Sequence, residues 1–506
     1  MYANVTPIDI DIDNDDDDDD ATTDKDVQIV RHSSDFFLLG SFCLLTMINQ
    51  ALWITFASVK DDVEQYFSLS DPLLVDLLSN VYMFIFLVLF LPATFFLNHF
   101  GLKRGVLVSA SINAIGGVLR YFFATGISFG GCVFAQSLCG VSQVLNFCCV
   151  GALASSVVKP EFKSRAIGLI WFSTYFGCAL GLWIPPMAIG DASSDLLPCL
   201  LGFGVAAFLV LLLVATSVYA SSGRLTTEAQ LSTTGGGSGD TKEFGIAVIA
   251  LFKNKQYMMV TAGFGCAMGS AYAVATDINS LFAEALAKDS DIGLLGLFFS
   301  ISAALGVLLV GMLLTAKPEW RGTTHVSLGM STAAAVALLG NVIGVSSQSV
   351  GFIFFCTLLF GFSVTSLNAS CLELGQFLSG ASEFIVNGSM MASVQLFGIV
   401  LTGITGIISA PDDQRKGDTS ATVGALIFLF FAQCVATALI WGSTKVQGRE
   451  GQEQGDGESG ARRRRTSSTN KLVSLIDHEE KSGATVMGKD WIVDVDGEEE
   501  KETFEI

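Results

Sequence analysis

The chain has 506 residues, is 51% hydrophobic and only 15% charged, and carries a formal net charge of -20. A soluble domain would hold about 25% charged residues. Here the apolar residues fall in long runs, and the mean hydropathy is +0.56. These values exclude secreted enzymes, nucleic-acid binders and disordered scaffolds, and they indicate a polytopic membrane protein.

Residues 1–35 come first, with 12 acids against 2 bases and the run Asp15 to Asp20. They lack a basic n-region and an apolar h-region, so they read as an acidic, disordered cytoplasmic tail rather than a cleaved signal. The first apolar segment then serves as a signal anchor. Twelve apolar segments follow, each near the roughly 20 residues that a bilayer core needs. They are 36–58, 72–98, 105–124, 128–157, 166–190, 196–220, 257–280, 292–316, 325–345, 349–369, 384–410 and 419–442. A polar linker, 221–256, contains Gly235, Gly236 and Gly237 and separates a first half, 36–220, from a second, 257–442. Residues 443–506 form a second disordered tail, with 15 acids and 10 bases. In it Arg462 to Arg465 precede Thr466, Ser467 and Ser468. That spacing suits a lipid contact released by phosphorylation, and equally a solvated charge run. The tails thus hold most of the acidity.

The links after even-numbered segments carry Lys103 and Arg104, then Lys159, Lys163 and Arg165, then Arg224, Lys242, Lys253 and Lys255, then Lys317 and Arg321. The other face has Lys60, Lys288, Arg415 and Lys416, each beside acids. The positive-inside bias puts the first face and both termini in the cytoplasm, with the plasma membrane as the expected residence. The sequons at Asn4, Asn368 and Asn387 all avoid the expected outer loops. Most of the 11 cysteines lie inside apolar runs, where a thiol is a small packing residue.

Polar side chains inside the segments are few. At about 1.5 Å per residue, Tyr82, Tyr175 and Gln395 fall near the midplane, with Trp53 and Tyr272 toward the outer half. Aromatic faces attract quaternary ammonium groups by about 2 kcal/mol once water is excluded, and Gln395 suits a substrate hydroxyl. Such a site needs no buried carboxylate, which is costly in a membrane. Taken singly, the same Trp and Tyr residues read as interfacial anchors or helix packing. Asp277 reads as an acid at the outer mouth that draws cations inward, or as an ion site. Arg120, late in segment three, is expected to snorkel outward, and Asp76 and Glu373 to meet water near segment ends. Without paired buried acids, facilitated movement is the simpler mechanism. Gly116, Gly117, Gly177, Gly181 and Gly398 are expected to let helices approach closely. His32, His99, His325 and His478 map to the cytoplasmic side or the tails. No metal-ligand spacing or catalytic motif stands out, so neither a metal, a cofactor nor an enzyme activity is expected.

The turn Asn98-His-Phe-Gly-Leu-Lys-Arg104 resembles that of major facilitator transporters, with Gly101 allowing a tight bend and Lys103 and Arg104 at a cytoplasmic gate. Pro160-Glu-Phe-Lys-Ser-Arg165-Ala166 resembles the second basic loop of that superfamily, placing Arg165 at the gate. As anchors, the same cations need only obey the positive-inside rule. Asn49-Gln-Ala-Leu-Trp53-Ile-Thr-Phe56, Leu78-Ser-Asn-Val-Tyr82-Met83 and Leu91-Pro-Ala-Thr94 resemble the feline leukaemia virus subgroup C receptor (FLVCR) family. So do Gly181-Leu-Trp-Ile-Pro-Pro186, Tyr272-Ala-Val-Ala-Thr-Asp277-Ile-Asn279, Glu373-Leu374 and Ala392-Ser-Val-Gln395-Leu-Phe-Gly398. The resemblance spans most of 36–442. It implies an all-α membrane protein with a twelve-helix major facilitator fold, two six-helix bundles around a central cavity. It also implies alternating-access transport of a small organic cation such as choline or ethanolamine, with Trp53, Tyr82, Tyr175, Tyr272 and Gln395 at the substrate site. Heme or porphyrin export and a receptor without transport remain alternatives. Two positions depart from the family: Asn98 stands where Asp is usual, and Tyr175 where choline-transporting members carry Gln.

Overall fold

The computed structural model describes residues 33–69, 73–189, 196–221, 241–282, 285–286, 289–314, 320–409 and 419–455. Expectations for the N-terminal tail up to residue 32, for Gly235–Gly237 and for Arg462–Arg465 fall outside these residues. The chain divides into units 1–446 and 447–506, and the spans belong to the first.

Every regular element among the described residues is helical. The first half contains α1 (Ser33–Ile54), α2 (Lys60–Phe67), α3 (Leu73–Phe100), α4 (Leu102–Thr125), α5 (Phe129–Val157), α6 (Lys163–Ala188) and α7 (Leu196–Ala220). The second contains α8 (Thr241–Lys253), α9 (Lys255–Thr276), α10 (Ile278–Phe282), α11 (Asp289–Leu313), α12 (Trp320–Ser346), α13 (Val350–Thr365), α14 (Leu367–Ser379), α15 (Glu383–Ile408) and α16 (Ser420–Gly455). Twelve spans are long and apolar enough to cross a membrane, α13 and α14 together forming one. Within lipid a helix satisfies its own backbone, which is why such runs adopt no other open structure. Large apolar side chains such as Val88, Phe122, Leu313 and Ile407 point outward and stay exposed, as a lipid-facing belt requires.

Local chemistry sets the ends. Gly101 joins α3 to α4 with φ +82°, a left-handed conformation that a β-carbon disfavours, and its N–H donates to the Leu97 carbonyl at 2.9 Å. Ser128 caps α5 by accepting from the Gly131 N–H at 3.2 Å. Asn254 caps α9 by accepting from the N–H groups of Gln256 and Tyr257.

In each half a crossing paved with glycine supports the aromatic residues. On α6, Gly177 and Gly181 meet the backbone of Met47 and Ala51 on α1, where a β-carbon would collide. On α9, Gly265 and Gly269 meet Ser393 and Phe397 of α15 in the same manner. Close approach of this kind is how helices associate without a hydrophobic drive between them. It brings the helix of Tyr175 against that of Trp53, and the helix of Tyr272 against that of Gln395. The halves meet where α6 packs on α11 and α14, and where α15 packs on α3 and α5.

Four expectations are corrected, and the linker segment gains a helix. The first span ends at Ile54 rather than 58, and a short amphipathic helix, α2, follows. The 221–256 segment contains a helix, α8, and α9 starts at Lys255. The tenth span runs on to Ser379, because the polar residues after Leu367 find buried partners. Arg120 does not snorkel: it is fully buried, with Nη1 donating to the Leu52 carbonyl at the end of α1 and the guanidinium facing the Phe56 ring, while Nε and Nη2 have no partner. Glu373 is buried too, with the Ser164 hydroxyl donating to it.

Candidate functional site

Trp53 lies in the last turn of α1, and its indole N–H donates to the Ser79 carbonyl on α3 at 3.0 Å. This bond fixes the ring plane. Across the interface the ring of Tyr272, on α9, stands 5.9 Å from the Trp53 ring centroid at 41°. The pair thus takes one ring from each half. Gly398 of α15 lies under the Tyr272 ring, where a β-carbon would crowd it, three residues along the same helix from Gln395. Gln395 is 1% exposed, and its Nε2 donor has no hydrogen-bond partner.

Tyr175 makes a second bridge between the halves. Its hydroxyl accepts from Asn368 Nδ2 on α14 at 2.8 Å, and it neighbours Tyr272. Behind it runs an aromatic stack. The ring of Trp171 lies 6.1 Å from Tyr175, Phe147 lies 4.8 Å from Trp171, and Phe86 lies 6.0 Å from Phe147. Trp171 Nε1, like Asn368 Oδ1, is buried without a partner. Neither residue is expected at the site from the sequence, where Asn368 stands out only as a sequon.

Tyr82 is buried and lies elsewhere. It packs against Gly140 of α5, has no ring contact with the other four, and is one turn beyond Ser79, the residue that holds Trp53. Asp277 ends α9, half-buried, with its N–H donating to the Ala273 carbonyl at 2.9 Å.

The end of α1 is held from behind. Arg120 Nη1 donates to the Leu52 carbonyl at 3.1 Å. Gln136 Nε2 donates to the Leu52 carbonyl at 3.1 Å and to the Trp53 carbonyl at 3.3 Å. The guanidinium also sits 4.5 Å from the centroid of the Phe56 ring. A cation at a helix C-terminus complements the macrodipole, so Arg120 and Gln136 together close the helix whose last turn presents Trp53.

A third cluster joins the halves at the face bearing Gly101 and the basic loops. Lys163 Nζ donates to Glu383 Oε1 at 2.6 Å, and the Ser155 hydroxyl donates to the same oxygen at 2.7 Å. Ser164 donates to Glu373 Oε2 at 2.6 Å, and Ser382 donates to Asn98 Oδ1 at 2.7 Å. Asn98, the departure from the usual Asp, therefore makes a neutral bond across the halves. Arg104 and Arg165 are exposed and rest over Phe100 and Phe162. Lys163, Ser155, Ser164 and Asn98 form the first half's side of the cross-links at this face. The sequence signal for the acids was weak: Glu373 reads as a segment-end acid that meets water, and nothing in the sequence singles out Glu383.

The sequence profile of the Major Facilitator Superfamily matches residues 38–398. The chain belongs to this superfamily. A Caenorhabditis elegans protein described as an uncharacterized MFS-type transporter is 25% identical over 378 residues, 73% of this chain and 64% of that one, so the chain spans just under two thirds of its length. The choline/ethanolamine transporter FLVCR1 of Felis catus is 24% identical over 80% of this chain and 72% of its own. The choline/ethanolamine transporter FLVCR2 of Homo sapiens is 25% identical over 77% and 75%. The fold of this superfamily member resembles the transporter FucP in its outward conformation, with a TM-score of 0.57 at 13% identity over 81% of this chain and 99% of that one. The chain is therefore a multi-pass transporter-family protein built of two six-helix bundles.

Proposed function

We propose that the chain moves a small organic cation of the choline and ethanolamine class across a membrane by facilitated alternating access. The observation that carries this reading is the Trp53–Tyr272 ring pair, Trp53 buried and Tyr272 half-buried, with one ring from each half. A cation entering between the rings meets two π-faces, worth about 2 kcal/mol or more in a desolvated setting. Gln395 Nε2 then has a substrate hydroxyl oxygen to donate to. The relatives named for choline and ethanolamine transport support the substrate class.

In this mechanism residues 36–220 rock against 257–442 about the site. The latch of Lys163 with Glu383 and Ser164 with Glu373 holds one face shut and breaks when that face opens. Gly101 sets the turn beside it, and Lys103, Arg104 and Arg165 line the approach. Asp277 raises the local cation concentration at the other mouth. The bias of basic residues supports a cytoplasmic latch face, cytoplasmic termini and residence in the plasma membrane. The activity is transport without catalysis. The described histidines, His99 and His325, lie near helix ends rather than in the aromatic cluster, so heme ligation along this route has no support.

Uptake of labelled choline and ethanolamine into cells lacking such a transporter tests this reading. Uptake above empty vector is expected, unaffected by sodium replacement or by collapse of the proton gradient. Absence of uptake of both compounds, with the protein at the cell surface, sinks the proposal.

A further inference from the structure

Asn368 lies two residues beyond Ser366, where α13 gives way to α14 and the tenth span is interrupted. Discontinuous spans at the contact between halves are where transporters of this kind hold their cargo. The side chain is 1% exposed. Its Nδ2 donates to the Tyr175 hydroxyl at 2.8 Å and to the Thr365 carbonyl at 3.0 Å. The second bond fixes the amide orientation, because only the NH2 end can face a backbone carbonyl. The oxygen is thereby turned the other way, and it has no donor. A buried amide carbonyl without a partner is uncommon and calls for a ligand. The site so far is rich in donors, since Gln395 Nε2 and Trp171 Nε1 are also unpaired. Asn368 Oδ1 supplies the acceptor that complements them.

Resting on the transport reading above, we propose that Asn368 is a specificity residue whose carbonyl accepts an N–H from a protonated amine. The cargo fitted best is then a primary, secondary or tertiary ammonium alcohol, with its hydroxyl oxygen toward Gln395 and its N–H toward Asn368. A quaternary head has no N–H and leaves the carbonyl unsatisfied. Aromatic walls acting alone would give the opposite trend, because each added methyl lowers the cost of stripping water from the cation. The Thr365 carbonyl positions this acceptor by accepting from Nδ2.

A methylation series separates the two trends. Ethanolamine, N-methylethanolamine, N,N-dimethylethanolamine and choline are assayed for uptake by the full-length protein. The first three each keep an N–H, so similar KM values are expected, with a single step to a KM roughly tenfold higher for choline. In Asn368→Leu the step should vanish through weaker uptake of the three N–H compounds. Tyr175→Phe keeps the carbonyl and should keep the step. A smooth fall in KM with methylation in the unaltered protein overturns the assignment, and that measurement does not depend on any variant folding. A step that persists in Asn368→Leu, or disappears in Tyr175→Phe, also overturns it. Transport of all four without a step removes the assignment and leaves the transport reading standing. Transport of none removes both.

Discussion

Trp53 is held at two points: by its indole N–H to Ser79 and by its backbone carbonyl to Gln136. Its ring is therefore pre-set before any substrate arrives, which lowers the ordering cost of binding. Truncation to alanine removes one π-face and that pre-setting. Trp53→Ala should lower kcat/KM for uptake by roughly thirtyfold, matching about 2 kcal/mol of lost cation–π attraction, with surface abundance unchanged by biotinylation. Trp53→Phe should keep part of the activity, since a face remains while the bond to Ser79 is lost. At this scale the sequence was informative where a polar-tipped aromatic stood alone in an apolar run. Trp53, Tyr175, Tyr272 and the amide Gln395 stood out in this way, the family resemblance made them a substrate-site expectation, and they stand together in the fold. Asn368 was missed because hydropathy fades after Leu367, so it looked like the end of a segment. Trp171 was missed because its apolar neighbours make a packing residue indistinguishable from a wall. Tyr82 had the right depth but packs on α5, a difference of helix face that depth along the axis cannot reveal.

The interrupted end of α1 is the element on which the site depends. Its terminal carbonyls would be costly to leave bare in a membrane interior, and Arg120 with Gln136 takes them. The arrangement is redundant at Leu52, whose carbonyl both side chains reach, and single at Trp53, which only Gln136 reaches. No carboxylate among the described residues pairs with Arg120. Its charge therefore carries a desolvation cost that the fold absorbs. Arg120→Met fills similar volume and creates no orphaned carbonyl. Its melting temperature in detergent should be equal to or above that of the parent, while KM for uptake rises as the turn under Trp53 loosens. Gln136→Leu orphans the Trp53 carbonyl and should cost about 1–3 kcal/mol of stability as well as uptake. A lower melting temperature in Arg120→Met than in Gln136→Leu contradicts this account. None of this could be read from the chain, because an arginine late in an apolar segment is as compatible with reaching the headgroups as with capping a neighbour.

For the molecule as a whole, the twelve spans were legible because lipid imposes a length and leaves the backbone one solution. The cross-links between the halves were not, since they depend on which segment ends meet in space. Lys163 and Glu383 are 18% and 21% exposed, intermediate between a surface pair and a buried one. Glu383→Gln should weaken the latch by about 1–2 kcal/mol, shifting the population toward the state open at that face by roughly five- to thirtyfold. Labelling of a cysteine introduced beside Gly101 should quicken accordingly, and an unchanged labelling rate would falsify the latch.

The contact between Trp53 and Tyr272 has a kinetic consequence. A carrier that releases its cargo has to reset while empty, and two bare aromatic faces on opposite halves would be an obstacle to resetting. Here each ring lies against the other when nothing is between them, so the vacant carrier keeps much of the cohesion that cargo would supply. Reorientation without cargo should then be about as fast as reorientation with it. Preloading vesicles with unlabelled substrate on the far side should leave the initial rate of labelled uptake unchanged. The protein would thus work as a one-way-at-a-time uniporter that follows the gradient, and marked acceleration by the preload would instead reveal an exchanger.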